Sequence, residues 1–158
     1  EVHMPLDHMT LRTRKPAETV RFYTDVLGVK EGWRPPFQFP GHWLYEGETP
    51  IIHIITITED ETAVRGYVGE RKEDGPGSGA VDHIAFRCQG LAAYQDRLVS
   101  LGYTFHERVV PRLDQHQLFV KDPNGVTLEL TFPAAESKGI RGAEMPQSKF
   151  KEPAKAGE

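Results

Sequence analysis

The chain spells one segment twice, and a histidine opens each copy. Leu6-Asp7-His8-Met9-Thr10-Leu11-Arg12 leads on to Val26-Leu27-Gly28, and Val81-Asp82-His83-Ile84-Ala85-Phe86-Arg87 leads on to Ser100-Leu101-Gly102. The two histidines stand 75 residues apart. A second ligand-capable side chain follows each at almost the same interval: His53 comes 45 residues after His8, and Glu129 comes 46 after His83. A repeat that carries its polar positions along with its apolar ones points to two like units that share a site.

The local patterns give the unit. His8, Thr10 and Arg12 fall on one face of an alternating stretch, with Met9, Leu11 and Thr13 on the other, as in a strand with one apolar face. Lys15-Pro16-Ala17-Glu18 reads as a helix start. Val20, Tyr23 and Leu27 follow at helical spacing, with Phe22 and Val26 beside them, and Gly28 is the stop. Strands are expected near Val29–Arg34, His42–Glu46 and Ile51–Thr58, with Glu46-Gly47-Glu48 turning between the last two. The second half repeats this order. Leu91, Tyr94, Leu98 and Leu101 form the helix stripe, Gly102 ends it, and strands are expected near Thr104–Val110, His116–Val120 and Val126–Phe132. Asp122-Pro123-Asn124-Gly125 is a tight turn before the last strand, whose Val126, Leu128 and Leu130 share the apolar face opposite Thr127, Glu129 and Thr131.

The fold class is therefore α+β, built as paired βαβββ modules. Residues 1–133 form one domain by length, with module one over 5–58, a polar and Gly-rich linker over 59–79 and module two over 80–133. Val64, Tyr67 and Val68 suggest a short helix in the linker. From Ala134 to Glu158 apolar residues thin out, which predicts a mobile or surface-packed tail. The chain opens on Glu1 rather than Met; Glu1-Val2-His3 reads as a foreign remnant, and His3 is assigned no role.

Composition narrows the function. Net charge is −4 with no basic stripe, so nucleic acid is not an expected partner. No apolar run approaches the roughly 20 residues of a membrane span. No secretory signal is visible and the single Cys88 excludes an internal disulfide, so a cytoplasmic setting is expected.

With the helices covering the apolar faces, His8, His83 and Glu129 fall on the opposite faces of their strands. Two imidazoles and a carboxylate are a ligand set for a divalent transition metal (Fe, Mn, Ni, Zn or Co). His53 is the one polar side chain in Ile51-Ile52-His53-Ile54-Ile55 and stands as a fourth candidate. A metal so held would act as a Lewis acid on a substrate oxygen. Taken singly, each has an ordinary reading: a hydrogen-bonded core or edge histidine for His8, His83 and His53, and a solvated strand carboxylate for Glu129. The matched spacing favours ligands.

Four motifs carry a resemblance: Leu6-Asp7-His8-Met9-Thr10, Phe22-Tyr23-Thr24-Asp25-Val26-Leu27-Gly28, Val81-Asp82-His83-Ile84-Ala85-Phe86, and Asp122-Pro123-Asn124-Gly125-Val126-Thr127-Leu128-Glu129. Together they span most of residues 5 to 132, and the last is the most specific. In them the chain resembles the vicinal oxygen chelate superfamily, which includes glyoxalase I, fosfomycin-resistance enzymes, methylmalonyl-CoA epimerase, extradiol dioxygenases and bleomycin-resistance proteins. The resemblance implies a half-barrel built from each pair of modules around a metal, with His8, His83 and Glu129 in the metal positions and a homodimer completing the sites. His53 falls where glyoxalase I has a second glutamate. That departure bears on proton transfer, because the glutamate there is thought to double as a base, a role open to a neutral imidazole only off the metal.

Trp43, ten residues before His53, and Phe119, ten before Glu129, are expected to point into the cavity, with Gln117 on the same face as Phe119. A tyrosine is usual near the Phe119 position in extradiol dioxygenases, so its absence weighs against ring cleavage. Trp33-Arg34-Pro35-Pro36-Phe37-Gln38-Phe39-Pro40 is a stiff aromatic loop. It reads either as a roof for a flat or apolar substrate, with Phe39 as a contact, or as a small satellite core or dimer contact. Arg12 and Arg87 are read as partners of local carboxylates ahead of a role in holding substrate anions, and His106 and His116 as surface residues ahead of a role as acids or bases. Three functions follow. A metal-dependent enzyme with glyoxalase-like lyase or isomerase chemistry on a small oxygen-chelated substrate is favoured, on the count of four ligands. A ring-cleaving dioxygenase and a non-catalytic binder of an aromatic compound are the alternatives.

Overall fold

The computed structural model describes residues 5–68, 76–79, 81, 83–110 and 113–145. The expectations for His3, Asp82, the middle of the linker and the tail beyond Met145 lie outside them. The chain divides into two compact units: Glu1–Ile84 with Lys121–Leu128, and Ala85–Val120 with Glu129–Glu158.

In the first unit, β1 (Met9–Thr13), α1 (Pro16–Leu27), β2 (Lys30–Gly32), β3 (Gly41–Glu46) and β4 (Thr49–Thr56) follow in the expected βαβββ order. The sheet order is β1-β4-β3-β2. β1 runs parallel to β4, and β3 and β4 form an antiparallel hairpin with Trp43 opposite His53. α1 starts at Pro16, whose missing N–H costs nothing in a first turn, and closes on Gly28 in the left-handed conformation. Its Phe22, Tyr23 and Val26 are fully buried, and it lies against β2, β3 and β4. Ile52, Ile54 and Leu44 complete this core. α2 (Thr62–Val68) supplies Val64 to a satellite cluster with Phe39 and Ile55, against which Phe37 packs.

The turn before the final strand belongs to the first unit. Tyr23 donates to Asp122 Oδ2 at 2.8 Å, and Thr13 donates to Asn124 Oδ1 at 2.6 Å. Asn124 Nδ2 in turn donates to Thr19 at 3.0 Å. Two of the motifs that carried the resemblance thus hold each other: the helix tyrosine and the turn aspartate. Burial and the adjoining carboxylate push the Tyr23 phenol far above its ordinary range, so it stays a donor.

The second unit holds α3 (Leu91–Leu101), β6 (Phe105–Val110) and most of β5 (Ile84–Arg87), β7 (Gln115–Lys121) and β8 (Thr127–Pro133). The sheet order is β5-β8-β7-β6, with a short ninth strand, β9 (Ala143–Glu144), beside β6. Leu91 and Leu98 bury the apolar stripe of α3, and Gly102 caps it as Gly28 caps α1.

The stretch expected as a tail is structured through Met145. A 3-10 turn at Ala134–Glu136 leads to β9 (Ala143–Glu144), which pairs in parallel with β6. The anchor is Glu107, fully buried on β6. Its Oε2 accepts the backbone N–H groups of Arg141 (2.5 Å) and Gly142 (2.7 Å). Its Oε1 accepts Gln95 Nε2 (2.7 Å) and His116 Nε2 (3.0 Å). The expectation of a surface place for His116 is therefore corrected: the ring is fully buried, and its Nδ1 meets Ser137 Oγ at 2.9 Å. The polar composition of 134–145 concealed this order because the group that binds it lies some thirty residues upstream. His106 is exposed, as expected.

Candidate functional site in the first unit

β1, β3 and β4 bring three rings into one column. His8 stacks on His53 with ring centroids 3.8 Å apart and planes 14° from parallel, and His53 stacks on Trp43 at 3.9 Å and 9°. The register explains it: Trp43 and His53 are cross-strand partners, and His53 pairs with Thr10, two positions from His8. Trp33 meets the edge of Trp43 at 6.4 Å.

Beside the column opens a cavity of about 220 Å³. Arg34, Phe37, Phe39 and Tyr67 line it together with the three stacked rings. Phe37 and Phe39 stack at 5.1 Å, and Tyr67 from α2 tilts against both. Phe39 of the aromatic loop both lines the cavity and joins the satellite core. Sequence reasoning passed over Arg34 and Tyr67. Arg34 stands three residues before Phe37 and five before Phe39, and its guanidinium lies 5.0 Å from each ring centroid. That spacing within a loop stiffened by Pro35-Pro36 was the available signal.

The acceptors beside the two rings favour different tautomers when both are neutral. His8 Nδ1 is bonded to the Asp7 carboxylate, so its lone pair is on Nε2. His53 Nε2 lies 3.0 Å from the Pro50 carbonyl, which only accepts, so its lone pair is on Nδ1. Burial, with a contribution from His8, lowers the His53 pKa below the usual histidine value, so this ring is neutral near pH 7.

These facts decide how the predicted ligands fit a metal. A carboxylate holding one nitrogen while the other is bare is the arrangement that orients a metal-binding histidine, and His8 has it. As placed here, His53 and His8 do not aim their lone pairs at a common point. Imidazole lone pairs lie in the ring plane, and two planes this nearly parallel share no point within about 2 Å of both nitrogens. His83 is exposed at the end of the first unit, and Glu129 is buried on β8 in the second. Among the described residues no three His, Cys, Asp or Glu side chains are gathered as a metal site. Of the predicted substrate contacts, Trp43 and Phe39 line the cavity. Gln117 and Phe119 lie on β7 of the second unit, where Arg108 donates to Gln117 at 2.7 Å and covers the Phe119 ring at 5.3 Å. Arg12 pairs with Glu61 at 2.7 Å, as expected of a local partner.

The Glyoxalase/Bleomycin resistance protein/Dioxygenase superfamily model matches residues 5–130. The chain belongs to that superfamily. No functionally curated protein sequence matches it. Solved structures with the same fold include a glyoxylase/bleomycin resistance protein/dioxygenase domain from a Frankia species, with 18% identity, a TM-score of 0.62, and 88% of this chain and 96% of that one covered. A lactoylglutathione lyase from Agrobacterium tumefaciens is similar at 16% identity and a TM-score of 0.62, covering 86% and 98%. The fosfomycin resistance protein FosX from Listeria monocytogenes is similar at 19% identity and a TM-score of 0.57, covering 83% and 94%. Identities this low carry the superfamily's fold and not an activity. Among the described residues no helix is long and apolar enough to cross a membrane.

Proposed function

We propose that this superfamily member is a divalent-metal-dependent enzyme with glyoxalase-like lyase or isomerase chemistry on a small oxygen-bearing substrate. His8, His83 and Glu129 are its ligands, and a homodimer is its working assembly. The observation that carries the reading is the Asp7–His8 pair at the cavity mouth, which leaves Nε2 of His8 as the donor nitrogen. The metal supplies a Lewis acid toward a substrate oxygen. His53 is the base of the proposal: neutral, half-buried and fixed through Nε2, it takes a substrate proton at Nδ1. Trp43 and Phe39 bound the substrate and exclude water from it, and Gln117 and Phe119 are proposed contacts from the second unit.

Metal analysis of protein purified anaerobically without chelator is the test, joined to turnover of thiol adducts of ketoaldehydes and to oxygen uptake with catechols. Stoichiometric metal is expected in the wild type and is lost in His8→Ala, His83→Ala and Glu129→Ala. His53→Ala keeps the metal and loses turnover. A wild type without metal, or a His53→Ala variant that turns over normally, overturns the assignment. Oxygen uptake with catechols moves it to ring cleavage. The three-ring column favours one second reading, a sequestering protein for a flat aromatic compound, which requires binding without metal or turnover.

A further inference from the structure

Among the described residues, Arg34 is the one Lys or Arg side chain lining the first-unit cavity, and no carboxylate lines it. The contrast with Arg12 is direct: Arg12 is ion-paired to Glu61, whereas Arg34 forms no ion pair among the described residues. Its Nη2 donates to the Phe39 carbonyl at 2.9 Å, and its Nε is buried with no acceptor. The rest of its surroundings are the faces of Phe37 and Phe39. Arg34 as a whole is half-buried, but an Nε–H closed off from water beside apolar rings is costly without an acceptor. Two aromatic faces compensate only in part. The fold maintains the position: Gly41 is the only residue type that clears it, since a Cβ there would come within 3.0 Å of Nη2 and 2.3 Å of the Ile54 carbonyl oxygen. At about 220 Å³ the space is below the roughly 300–1,000 Å³ of drug-sized sites, which limits a guest to one or two rings.

We propose that this cavity selects a small planar aromatic anion, the carboxylate or similar planar oxyanion on Arg34 and the ring among Phe37, Trp43 and Tyr67. The proposal rests on the cavity being the substrate cavity of the function proposed above, and it names the substrate class. A planar oxyanion suits guanidinium over ammonium because the fork of donors matches two oxygens.

Trp33 and Trp43 are the only tryptophans of the chain, and Trp43 lines the cavity, so intrinsic fluorescence reports the site. The test titrates protein that has been stripped of metal and dialysed with 4-nitrobenzoate and, separately, with 4-nitrobenzamide, which keeps the ring and removes the charge. Saturable quenching is expected from both, with the anion at least tenfold tighter. Arg34→Gln should bring the two within about threefold, and Arg34→Lys should keep part of the preference. Rising salt should weaken the anion alone, which tests the wild type should Arg34→Gln fail to fold. Equal affinities, no saturable binding of either probe, or a preference that persists in Arg34→Gln overturns the proposal. The metal plays no part in this readout. Loss of anion selectivity beside intact metal-dependent turnover sinks the substrate class alone, and anion binding in a protein that takes up no metal sinks the enzyme assignment alone.

Discussion

The Glu107 carboxylate and the His116 ring meet at 3.0 Å with neither side chain exposed to solvent. Burial alone would push the Glu107 carboxyl up. Hydrogen bonds from Gly142 N–H, Gln95, Arg141 N–H and His116 more than offset that and hold it below its ordinary 4.5. A neutral ring satisfies every group, with Nε2–H donating to Glu107 and Nδ1 accepting from Ser137. Because the folded pKa is depressed, the stabilisation is complete above about pH 4.5 and is lost as pH falls from there through the folded value. Glu107→Gln should flatten stability against pH in that acid window, as measured by denaturant midpoints from pH 3 to 7. Glu107→Ala should cost about 3–5 kcal/mol at pH 7 and open 134–145 to proteolysis.

Tyr23→Phe removes the donor to Asp122 and leaves a buried carboxylate short of a partner. A loss of about 1–3 kcal/mol is expected by urea unfolding. In the Asp122→Asn background the same substitution should cost less, and a double-mutant cycle gives the coupling.

Gly41→Ala forces a methyl group against the Ile54 carbonyl and the Arg34 guanidinium. Destabilisation of about 1–3 kcal/mol is expected, together with weaker binding of 4-nitrobenzoate in the fluorescence titration. Gly66→Ala is the comparison, since nothing lies within 4 Å of its added Cβ and its φ is not in the left-handed region, and it should leave probe binding unchanged.

Asp7→Asn keeps the size of the side chain and removes the charge that orients His8. Metal affinity should fall about 10–100-fold in a competition titration. The melting temperature should hold, because Asp7 is 86% exposed.

Local order was open to sequence reading because it is set locally. Pro16 and Gly28 bracket α1, Leu91 and Gly102 bracket α3, and the apolar run around His53 in Ile51–Thr56 marks β4, so the βαβββ order could be written from the chain. What stayed hidden depends on partners remote in sequence. His116 reads as an ordinary polar residue until Glu107 is seen facing it, and the segment after Ala134 reads as tail until its N–H groups are found on that carboxylate. In the candidate site, spacing singled out His8, His53 and Trp43, which the first unit does gather. It could not show that two rings would lie flat on one another, which separates their roles.

The hairpin tip at Asp122–Gly125 is written in the second copy of the repeat yet folds with the first, where Thr13, Thr19 and Tyr23 hold it. Scission between the copies would therefore not yield two self-sufficient halves. The leading fragment would keep a buried tyrosine with no acceptor, and the trailing one would carry a loop with nothing to grasp it. The boundary between the written copies is thus not a seam of the fold, and no single cut follows it.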